Sequence, residues 1–255
     1  MVDKDKLGVT QAGKLVKGNT LLIYAVAGAG KTTLLNTVIP EDLLVISIDS
    51  GQQVLNPKID MFHLITEKTR EPEEQISRFE NFATYLLESK DILPWKVIAL
   101  DNISELQDAF LEKFQKARGV KFPSKLEYRN TGIMMKRWLK AIRNLNYKGI
   151  DVIYIAWEDA DKIEDKGGEI WTEKGPMIMG KTEIVVSGLV DFVLCLRVGK
   201  KGERYLQLDG DSVHLAKKRE EWGAEYPSYI PCPKGDTRTL QDFLDKLRGG
   251  GKVEK

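Results

Sequence analysis

One octapeptide constrains this chain more than any other feature. Residues 25–32 read Ala-Val-Ala-Gly-Ala-Gly-Lys-Thr and lie between an apolar run, residues 20–24, and the apolar start of a helix. A strand, a glycine-rich loop and a helix that opens with Lys-Thr form a phosphate-binding loop, in which successive backbone N–H groups point at phosphate oxygens. Ala25 stands where the pattern has its first glycine, at the end of the strand, where a methyl group is tolerated. The sequence therefore predicts a nucleoside triphosphate site.

The residues of this loop have separate predicted roles. Gly28 and Gly30 let the backbone approach the phosphates closely. Lys31 adds a positive charge at the β- and γ-phosphates, and the hydroxyl of Thr32 can ligate Mg²⁺. ATP and Mg²⁺ are the expected cofactors. The predicted nucleotide contacts are Ala25, Val26, Ala27, Gly28, Ala29, Gly30, Lys31, Thr32 and Thr33.

A second motif supplies the expected metal-binding acid. Residues 97–101, Val-Ile-Ala-Leu-Asp, are four apolar residues that end in Asp101, the pattern of a buried strand with a carboxylate at its carboxyl end. Beside a phosphate-binding loop, such a carboxylate holds the Mg²⁺ shell through water. The next residue is Asn102. Because AAA+ and helicase-type ATPases usually place a catalytic glutamate there, Asn102 argues against those classes.

Apolar runs alternate with helical patterns over the first two-thirds of the chain. The predicted strands are residues 43–48, 61–65, 95–100 and 151–156, and the predicted amphipathic helices are residues 73–89, 104–119 and 133–145. Ser104 and Gln107 predict a capping box for the second helix. Later β-like segments, which predict hairpins, are residues 192–198, 204–208 and 213–217. This order resembles an α/β RecA-like P-loop NTPase core, a mainly parallel sheet flanked by helices, with antiparallel hairpins near the carboxyl end.

The general base is less evident. RecA-type proteins take it from the end of the strand next to the loop strand, but residues 48–53, Ile-Asp-Ser-Gly-Gln-Gln, contain no glutamate. Asp49 is the nearest acid, and it suits a strand-end turn equally well. Glu158 follows the strand at 152–156, where a RecA-type core has a polar sensor of the γ-phosphate, and a solvated strand end is the alternative. Either hydrolysis is slow, or Asp49 or Glu158 acts as the base.

Several short motifs in one order carry a resemblance to a family. They are Lys31-Thr32-Thr33, Leu100-Asp101, Glu127-Tyr128, Ala156-Trp157-Glu158, and residues 188–191 and 216–219. Together they resemble the phage-borne RecA-like ATPases, often labelled phage nucleotide-binding or single-strand annealing proteins, over roughly residues 20–222. The resemblance implies ATP-linked binding or annealing of single-stranded DNA in phage recombination by a homo-oligomer, a ring or a filament. The chain departs from the family at Ala25, at Trp157 in place of histidine, and in lacking a glutamate near Gly51.

One segment supports contact with DNA independently. Residues 117–137 carry six basic side chains and one acid, Glu127, with Phe122 and Tyr128 among them. Cations and aromatic rings on a flexible segment suit a single strand, because phosphates meet the charges and bases stack on the rings. A solvated loop and helix start is the alternative. The predicted DNA contacts are Arg118, Lys121, Lys125, Tyr128, Arg129 and Lys136.

Two basic residues late in the chain have a predicted catalytic role. In RecA-like filaments, basic residues after a late strand reach the γ-phosphate of the neighbouring subunit, which implies such a catalytic role for Lys217 and Lys218; an ordinary basic strand end is the alternative.

His63 and His214 are isolated, lack metal-ligand spacing and are expected to be packing residues, and no Cys/His constellation stands out. Cys195 and Cys232 form no Cys-x-x-Cys pair and are expected to be buried thiols.

Bulk properties leave a second function open. The net charge of +1 over 255 residues creates no field that would recruit nucleic acid or membrane, and residues 158–181, a long mobile loop or small hairpin, hold seven acids against four lysines. A nucleotide-dependent regulatory or assembly switch without DNA binding is therefore the alternative.

Residues 1–17 lack the apolar core of a signal peptide, and Asp191 interrupts the longest apolar stretch, so a cytoplasmic location without membrane contact is expected. We expect one domain over residues 1–255, with its core at about 18–222, an irregular segment and terminal helix at 223–248, and a flexible tail at 249–255.

Overall fold

A ten-stranded sheet organises the described part of the chain, which in the computed structural model comprises residues 17–49, 51–66, 71–164, 170–219 and 225–249. The strands are β1 (Thr20–Ala25), β2 (Leu43–Ser47), β3 (Asp60–His63), β4 (Val97–Asp101), β5 (Asp151–Glu164), β6 (Ile170–Pro176), β7 (Phe192–Val198), β8 (Arg204–Gln207), β9 (Lys217–Lys218) and β10 (Tyr229–Pro231). The helices are α1 (Lys31–Leu35), α2 (Pro72–Glu88), α3 (Ile103–Arg118), α4 (Lys125–Arg143), α5 (Lys181–Leu189) and α6 (Thr239–Arg248).

The strand order places the two predicted nucleotide motifs at one edge of the sheet. The order is β10-β8-β7-β1-β5-β4-β2-β3, and the run from β7 to β3 is parallel. One strand, β5, separates β1 from β4, so the loop after β1 and the acid at the end of β4 lie at the shared carboxyl edge. β8 pairs antiparallel with β7, and β10 pairs antiparallel with β8. The predicted α/β class, a mostly parallel sheet flanked by helices with antiparallel strands near the carboxyl end, is confirmed.

Helices cover both faces of this sheet. Successive residues of a strand point to opposite faces, so Leu22 and Tyr24 join the core that α2, α3, α4 and α5 complete, while Leu21 and Ile23 join the core with α1 and α6. All six residues of β1 are buried. Burial on both faces explains why the parallel strands read as continuous apolar runs rather than as alternating patterns.

The last helix is anchored to the turn that follows α1. The backbone N–H of Leu240 donates to the hydroxyl of Thr37 over 2.9 Å, and the N–H of Gln241 donates to the carbonyl of Thr37 over 3.1 Å. The side-chain oxygen of Gln241 accepts the N–H of Ile39 over 3.1 Å. These bonds fix the position of α1, and with it the predicted phosphate-binding loop, against α6.

The predicted cap of α3 is wrong. Asn102, not Ser104, caps the helix, because its side-chain oxygen accepts the N–H of Glu105 over 2.9 Å. Ser104 is buried, donates to the carbonyl of Met177 over 3.0 Å and accepts the N–H of Trp157 over 3.1 Å. Gln107 accepts the N–H of Met179 over 2.7 Å. These two side chains resemble a local cap in sequence, but they hold the backbone of distant segments.

The basic segment is more ordered than the sequence suggested. α4 begins at Lys125, eight residues before the predicted start, and opens with a capping box in which Glu127 accepts the N–H of Ser124 over 2.7 Å. Glu127 is buried and pairs with Arg118 at the end of α3. The expectation of a flexible segment is therefore wrong from residue 125 onward, because the cap and the ion pair join α3 to α4.

The charged stretch after β5 forms the small hairpin, one of its two predicted forms. β5 continues past the sheet and pairs antiparallel with β6, from Glu158 opposite Pro176 to Glu164 opposite Ile170. Two elements were not predicted: α5, and β10 within a stretch that was expected to be irregular. The first 16 residues, on which the signal-peptide argument depends, and the tail from residue 250 lie outside the described residues. No helix in the described ranges is both long and apolar enough to cross a membrane.

Replacement of Ser104 by alanine tests the long-range role of its hydroxyl. The change removes two part-buried hydrogen bonds, to the carbonyl of Met177 and from the N–H of Trp157. At roughly 0.5–1.5 kcal/mol for each bond, it costs roughly 1–3 kcal/mol of unfolding free energy. We expect this loss in urea denaturation, whereas Thr84→Ala, at an exposed helix position whose hydroxyl bonds only within its own helix, should change stability by less than about 0.5 kcal/mol. Equal effects of the two changes would contradict the assignment.

Candidate functional site

The loop between β1 and α1 has the backbone shape that its glycines predict. Gly28 has φ 76° and Gly30 has φ 95°, both in the left-handed region that favours glycine. At Gly30 space is restricted as well, because a Cβ there would lie 2.4 Å from Nη1 of Arg204. A side chain at this position would therefore meet both backbone strain and a guanidinium.

Lys31 lies beneath this loop rather than in solvent. Its side chain is buried, and Nζ donates to the carbonyls of Ala25, over 2.8 Å, and Val26, over 3.0 Å. Burial lowers the pKa of Lys31, while the negative charges of Asp101, Asp49 and Glu158, in that order, act to raise it. The three carboxylates that the sequence singled out are therefore all within electrostatic reach of the predicted phosphate-binding lysine.

The two predicted metal ligands meet. The hydroxyl of Thr32 donates to Oδ2 of Asp101 over 2.6 Å. Asp101 is only 3% exposed, and burial raises its pKa to about 6; Asp49 adds to the increase, while Thr32 and Lys31 oppose it. A hydroxyl and a carboxylate side by side are the oxygen ligands that Mg²⁺ takes in nucleotide sites. The donor set therefore fits this ion.

Comparison with known families agrees with this geometry. A family model described as AAA domain matches residues 17–220, which include the loop, Thr32 and Asp101. The chain belongs to this AAA-domain family. No match to a curated protein was found. The family is one of AAA-type P-loop NTPases, so the expectation that Asn102 argues against AAA-type ATPases is corrected.

Asn102 of the AAA domain connects two parts of the site. While its oxygen caps α3, its Nδ2 donates to Oδ2 of Asp49 over 2.9 Å. The peptide bond between Asp101 and Asn102 is cis. A carboxamide cannot act as a base, but this one orients Asp49 beside Asp101. Glu105, an acid that sequence reasoning missed, lies in the first turn of α3, and its pKa is raised by burial, then by Asp108 and Asp49.

Glu158 has a different setting from the other two carboxylates. Its side chain is 8% exposed and lies 3.1 Å from Nζ of Lys174. Strand alternation places it with Ala156 on the face that α3, α4 and α5 cover, opposite the face of α1. Its influence on Lys31 is the weakest of the three. The role of γ-phosphate sensor stays a prediction.

Arg204 is a second residue that sequence reasoning missed. It begins β8, two strands away from β1, and its guanidinium packs against Gly30. Its Nε is buried and, within the described ranges, has no hydrogen-bond partner. A single arginine in a short strand carries no sequence signal, because only the pairing of β8 with β7, and of β7 with β1, brings it to the loop.

A cavity of about 440 Å³ adjoins α1 and Arg204. Its walls include Thr33, Leu55, Pro57, Cys232 and Pro233. This volume lies within the range of small-molecule sites. A larger cavity of about 660 Å³ lies against α5 and the end of β6 and includes no residue of the phosphate-binding loop. Of these two cavities, the smaller one reaches the predicted nucleotide contacts, through Thr33.

Lys217 and Lys218 have partners in their own chain. Nζ of Lys217 donates to the carbonyls of Ser187, over 2.7 Å, and Val190, over 2.8 Å, at the end of α5. Nζ of Lys218 lies 3.1 Å from Asp209. The prediction that these lysines act on a neighbouring subunit stays a prediction, and in this conformation they stabilise α5 and the strand region.

The predicted DNA contacts lie on one segment, which we call the basic hairpin and define as residues 118–137. Lys121, Lys125 and Arg129 are exposed, as are the rings of Phe122, at 76%, and Tyr128, at 46%. Nζ of Lys121 lies 5.6 Å above the ring of Phe122. Lys125, Arg129 and Lys136 follow helical spacing along one side of α4, whereas Arg118 is engaged by Glu127.

The raised pKa of Asp101 predicts that this residue lowers stability at neutral pH. Because the folded pKa, about 6, exceeds the ordinary value of 3.8, the folded state loses stability as pH rises through this window. At about 1.4 kcal/mol per unit of pKa shift, Asp101→Asn should raise the unfolding free energy by roughly 3 kcal/mol at pH 7.5, without Mg²⁺ or nucleotide.

The same change should have little effect below about pH 3, where Asp101 is protonated in both the folded and the unfolded state. Urea denaturation at both pH values measures the difference. A stabilisation of equal size at both pH values would show that the pKa of Asp101 is not raised in the folded state.

Proposed function

We propose that this AAA domain is a Mg-ATP-binding ATPase that binds or anneals single-stranded DNA, in the manner of phage recombination proteins. The observation that carries the nucleotide part is the contact of Thr32 with Asp101 beside the loop that covers Lys31. Family membership supports nucleotide binding in general. The DNA part is supported by the basic hairpin and by the resemblance of the sequence motifs.

ATP would lie with its phosphates in the loop and its nucleoside in the cavity beside α1. The triphosphate replaces the two carbonyls that Lys31 now contacts, and the guanidinium of Arg204 lies at the same loop. Two cations at one loop match the charge of the phosphates. When bound, Mg²⁺ would be held by Thr32 and Asp101 and would neutralise charge on the β- and γ-phosphates.

Asp49 is the residue we propose as the base that accepts the proton of the attacking water. It lies near Asp101 and is oriented by Asn102. An aspartate held by an amide is a weaker arrangement than a dedicated glutamate, because one of its carboxylate oxygens is already engaged by Nδ2 of Asn102. Turnover should therefore be slow, and Glu105 is the second acid to test.

The alternative function is a nucleotide-dependent switch without DNA binding. The amide at position 102 and the near-neutral net charge favour it, because slow hydrolysis prolongs the ATP-bound state. A homo-oligomer, and a cytoplasmic location in a bacterial host if the chain is phage-borne, are proposed with either function. Whether the wild-type protein binds single-stranded DNA decides between the two.

Arg204→Ala should weaken ATP binding. Loss of a hydrogen bond from a charged donor costs roughly 1.5–3 kcal/mol, so we expect the dissociation constant in calorimetry to increase by about 10- to 100-fold, and Lys31→Ala should abolish tight binding. Lys200→Ala, an exposed cation in the turn before β8, is the matched control and should bind as wild type. Wild-type affinity of Arg204→Ala would remove this residue from the site, and wild-type affinity of Lys31→Ala would refute the loop assignment.

Neutralising the basic hairpin should weaken binding of single-stranded DNA. Lys121, Lys125 and Arg129 replaced together by glutamine should lower the affinity and reduce the slope of log K against log salt by roughly 0.7 for each lost phosphate contact. The measurement is fluorescence anisotropy with labelled single-stranded DNA, with and without ATP, at two salt concentrations.

The control removes the same charge at exposed positions outside the basic hairpin, with Lys90, Lys200 and Lys201 replaced by glutamine. It should retain both affinity and slope. If the hairpin variant behaves like this control, the DNA site lies elsewhere; if wild type binds no DNA at all, the switch function is favoured.

A further inference from the structure

Three side chains with metal-binding atoms converge behind the phosphate-binding loop. The carboxylate of Glu158, the thiol of Cys195 and the imidazole of His214 have one ligand atom each, and these atoms lie within 4.8 Å of one another. Cys195 and His214 are buried, and the side chain of Glu158 is 8% exposed. The expectation that His214 merely packs, and that no Cys/His constellation exists, is therefore incomplete, because residues far apart in sequence meet here.

The sheet determines this convergence. Cys195 of β7 pairs with Tyr24 of β1, and Tyr24 pairs on its other side with Ala156 of β5, two residues before Glu158. Strand alternation puts Cys195 and Glu158 on the same face. His214 reaches this face because the segment between β8 and β9 folds back onto Lys174 of β6. Three separate segments thus contribute one ligand each.

The backbone around His214 is held firmly. The N–H of Leu215 donates to the carbonyl of Lys174 over 2.8 Å, and the N–H of Lys174 donates to the carbonyl of Val213 over 2.6 Å. The hydroxyl of Tyr24 donates to the carbonyls of Leu215, over 2.7 Å, and Lys174, over 3.1 Å. The backbone that carries His214 is therefore fixed against β6 and β1.

A carboxylate also orients the imidazole. Nδ1 of His214 lies 3.2 Å from Oδ1 of Asp211, which itself accepts the backbone N–H groups of Val213 and His214. Arg197 lies 3.1 Å from the other oxygen of Asp211. When Nδ1 donates to a carboxylate, Nε2 is the nitrogen that binds a metal, and this carboxylate–histidine arrangement recurs at zinc sites.

We propose that Glu158, Cys195 and His214 bind a Zn²⁺ ion, with Asp211 orienting the histidine. Sulfur, nitrogen and carboxylate oxygen are the ligand types of zinc, and three protein ligands leave a fourth tetrahedral position for water. Zinc–ligand bonds of about 2.0–2.3 Å place tetrahedral ligands roughly 3.3–3.8 Å apart. Donors that lie within 4.8 Å of one another therefore need to approach by at most about 1–1.5 Å. Mg²⁺, which takes oxygen ligands, does not suit the thiol.

Lys174 is the competitor for this site. Its ammonium lies 3.1 Å from Glu158 and is one-third exposed, so it can leave toward solvent when a divalent cation neutralises the carboxylate. Glu158 is then a zinc ligand rather than a γ-phosphate sensor. This inference does not depend on nucleotide binding, because none of its ligands belongs to the phosphate-binding loop.

The chain offers clean controls, because it contains two cysteines and two histidines. Tag-free, chelator-treated full-length protein is titrated with Co²⁺, whose bond to a thiolate gives a near-ultraviolet charge-transfer band. We expect one Co²⁺ per chain, displaced by one Zn²⁺. Cys195→Ser should lose the band, and His214→Gln should bind at least 10-fold more weakly. Cys232→Ser and His63→Gln should behave as wild type.

Absence of a thiolate band in wild type at stoichiometric Co²⁺, or its equal loss in Cys195→Ser and Cys232→Ser, would overturn the proposal. Circular dichroism checks that each variant folds. If Cys195→Ser does not fold, the weaker binding expected of His214→Gln is the test. Lys174→Met examines the third ligand separately: release of Glu158 should tighten Zn²⁺ binding several-fold, measured by competition with a chromophoric chelator. Unchanged affinity would exclude Glu158 and so refute the three-ligand site.

Discussion

The hydrogen bond between Thr32 and Asp101 is the contact on which the nucleotide site depends. It joins residues that are 69 positions apart in the chain, and it forms only because β5 aligns the strands that carry them. β5 holds Ala25 opposite Trp157 on one side and Asp101 opposite Ile155 on the other. A shift of β4 by one residue would turn Asp101 to the other face of the sheet, and no local change could restore the site.

The buried charged groups at this contact lower the stability of the folded protein when no ligand is bound. Burial lowers the pKa of Lys31 and raises that of Asp101, so both groups are pushed toward their neutral forms when no ligand is present. Phosphates supply the negative charge that stabilises a protonated Lys31, and a divalent cation supplies the positive charge that stabilises an ionised Asp101. Ligand binding therefore returns stability that the folded protein lacks without it, and the site is built for its ligands rather than for the fold.

Local patterns of apolar residues correctly predicted the parallel strands and the amphipathic helix α2. The parallel strands are apolar because both faces are covered, and α2 follows its helical apolar spacing. Ser104 misled because it resembles a cap, and its true partners, Met177 and Trp157, lie far along the chain. Arg204 and His214 gave no signal at all, since pairing of β8 with β7 and the fold-back onto β6 create their environments. The loop and Asp101 were recognisable because their chemistry requires fixed residue types at fixed spacing.

Strand β1 also relates the two candidate sites to each other. Its successive residues Tyr24 and Ala25 point to opposite faces. Ala25 leads into the phosphate-binding loop, and its carbonyl accepts a hydrogen bond from Nζ of Lys31. The hydroxyl of Tyr24 donates to the backbone of the two segments that carry Lys174 and His214. A ligand that pulls Lys31 away from the carbonyl of Ala25 acts on the end of the strand to which Cys195 is paired. β1 thus contributes a contact to each candidate site, one on either face of the sheet.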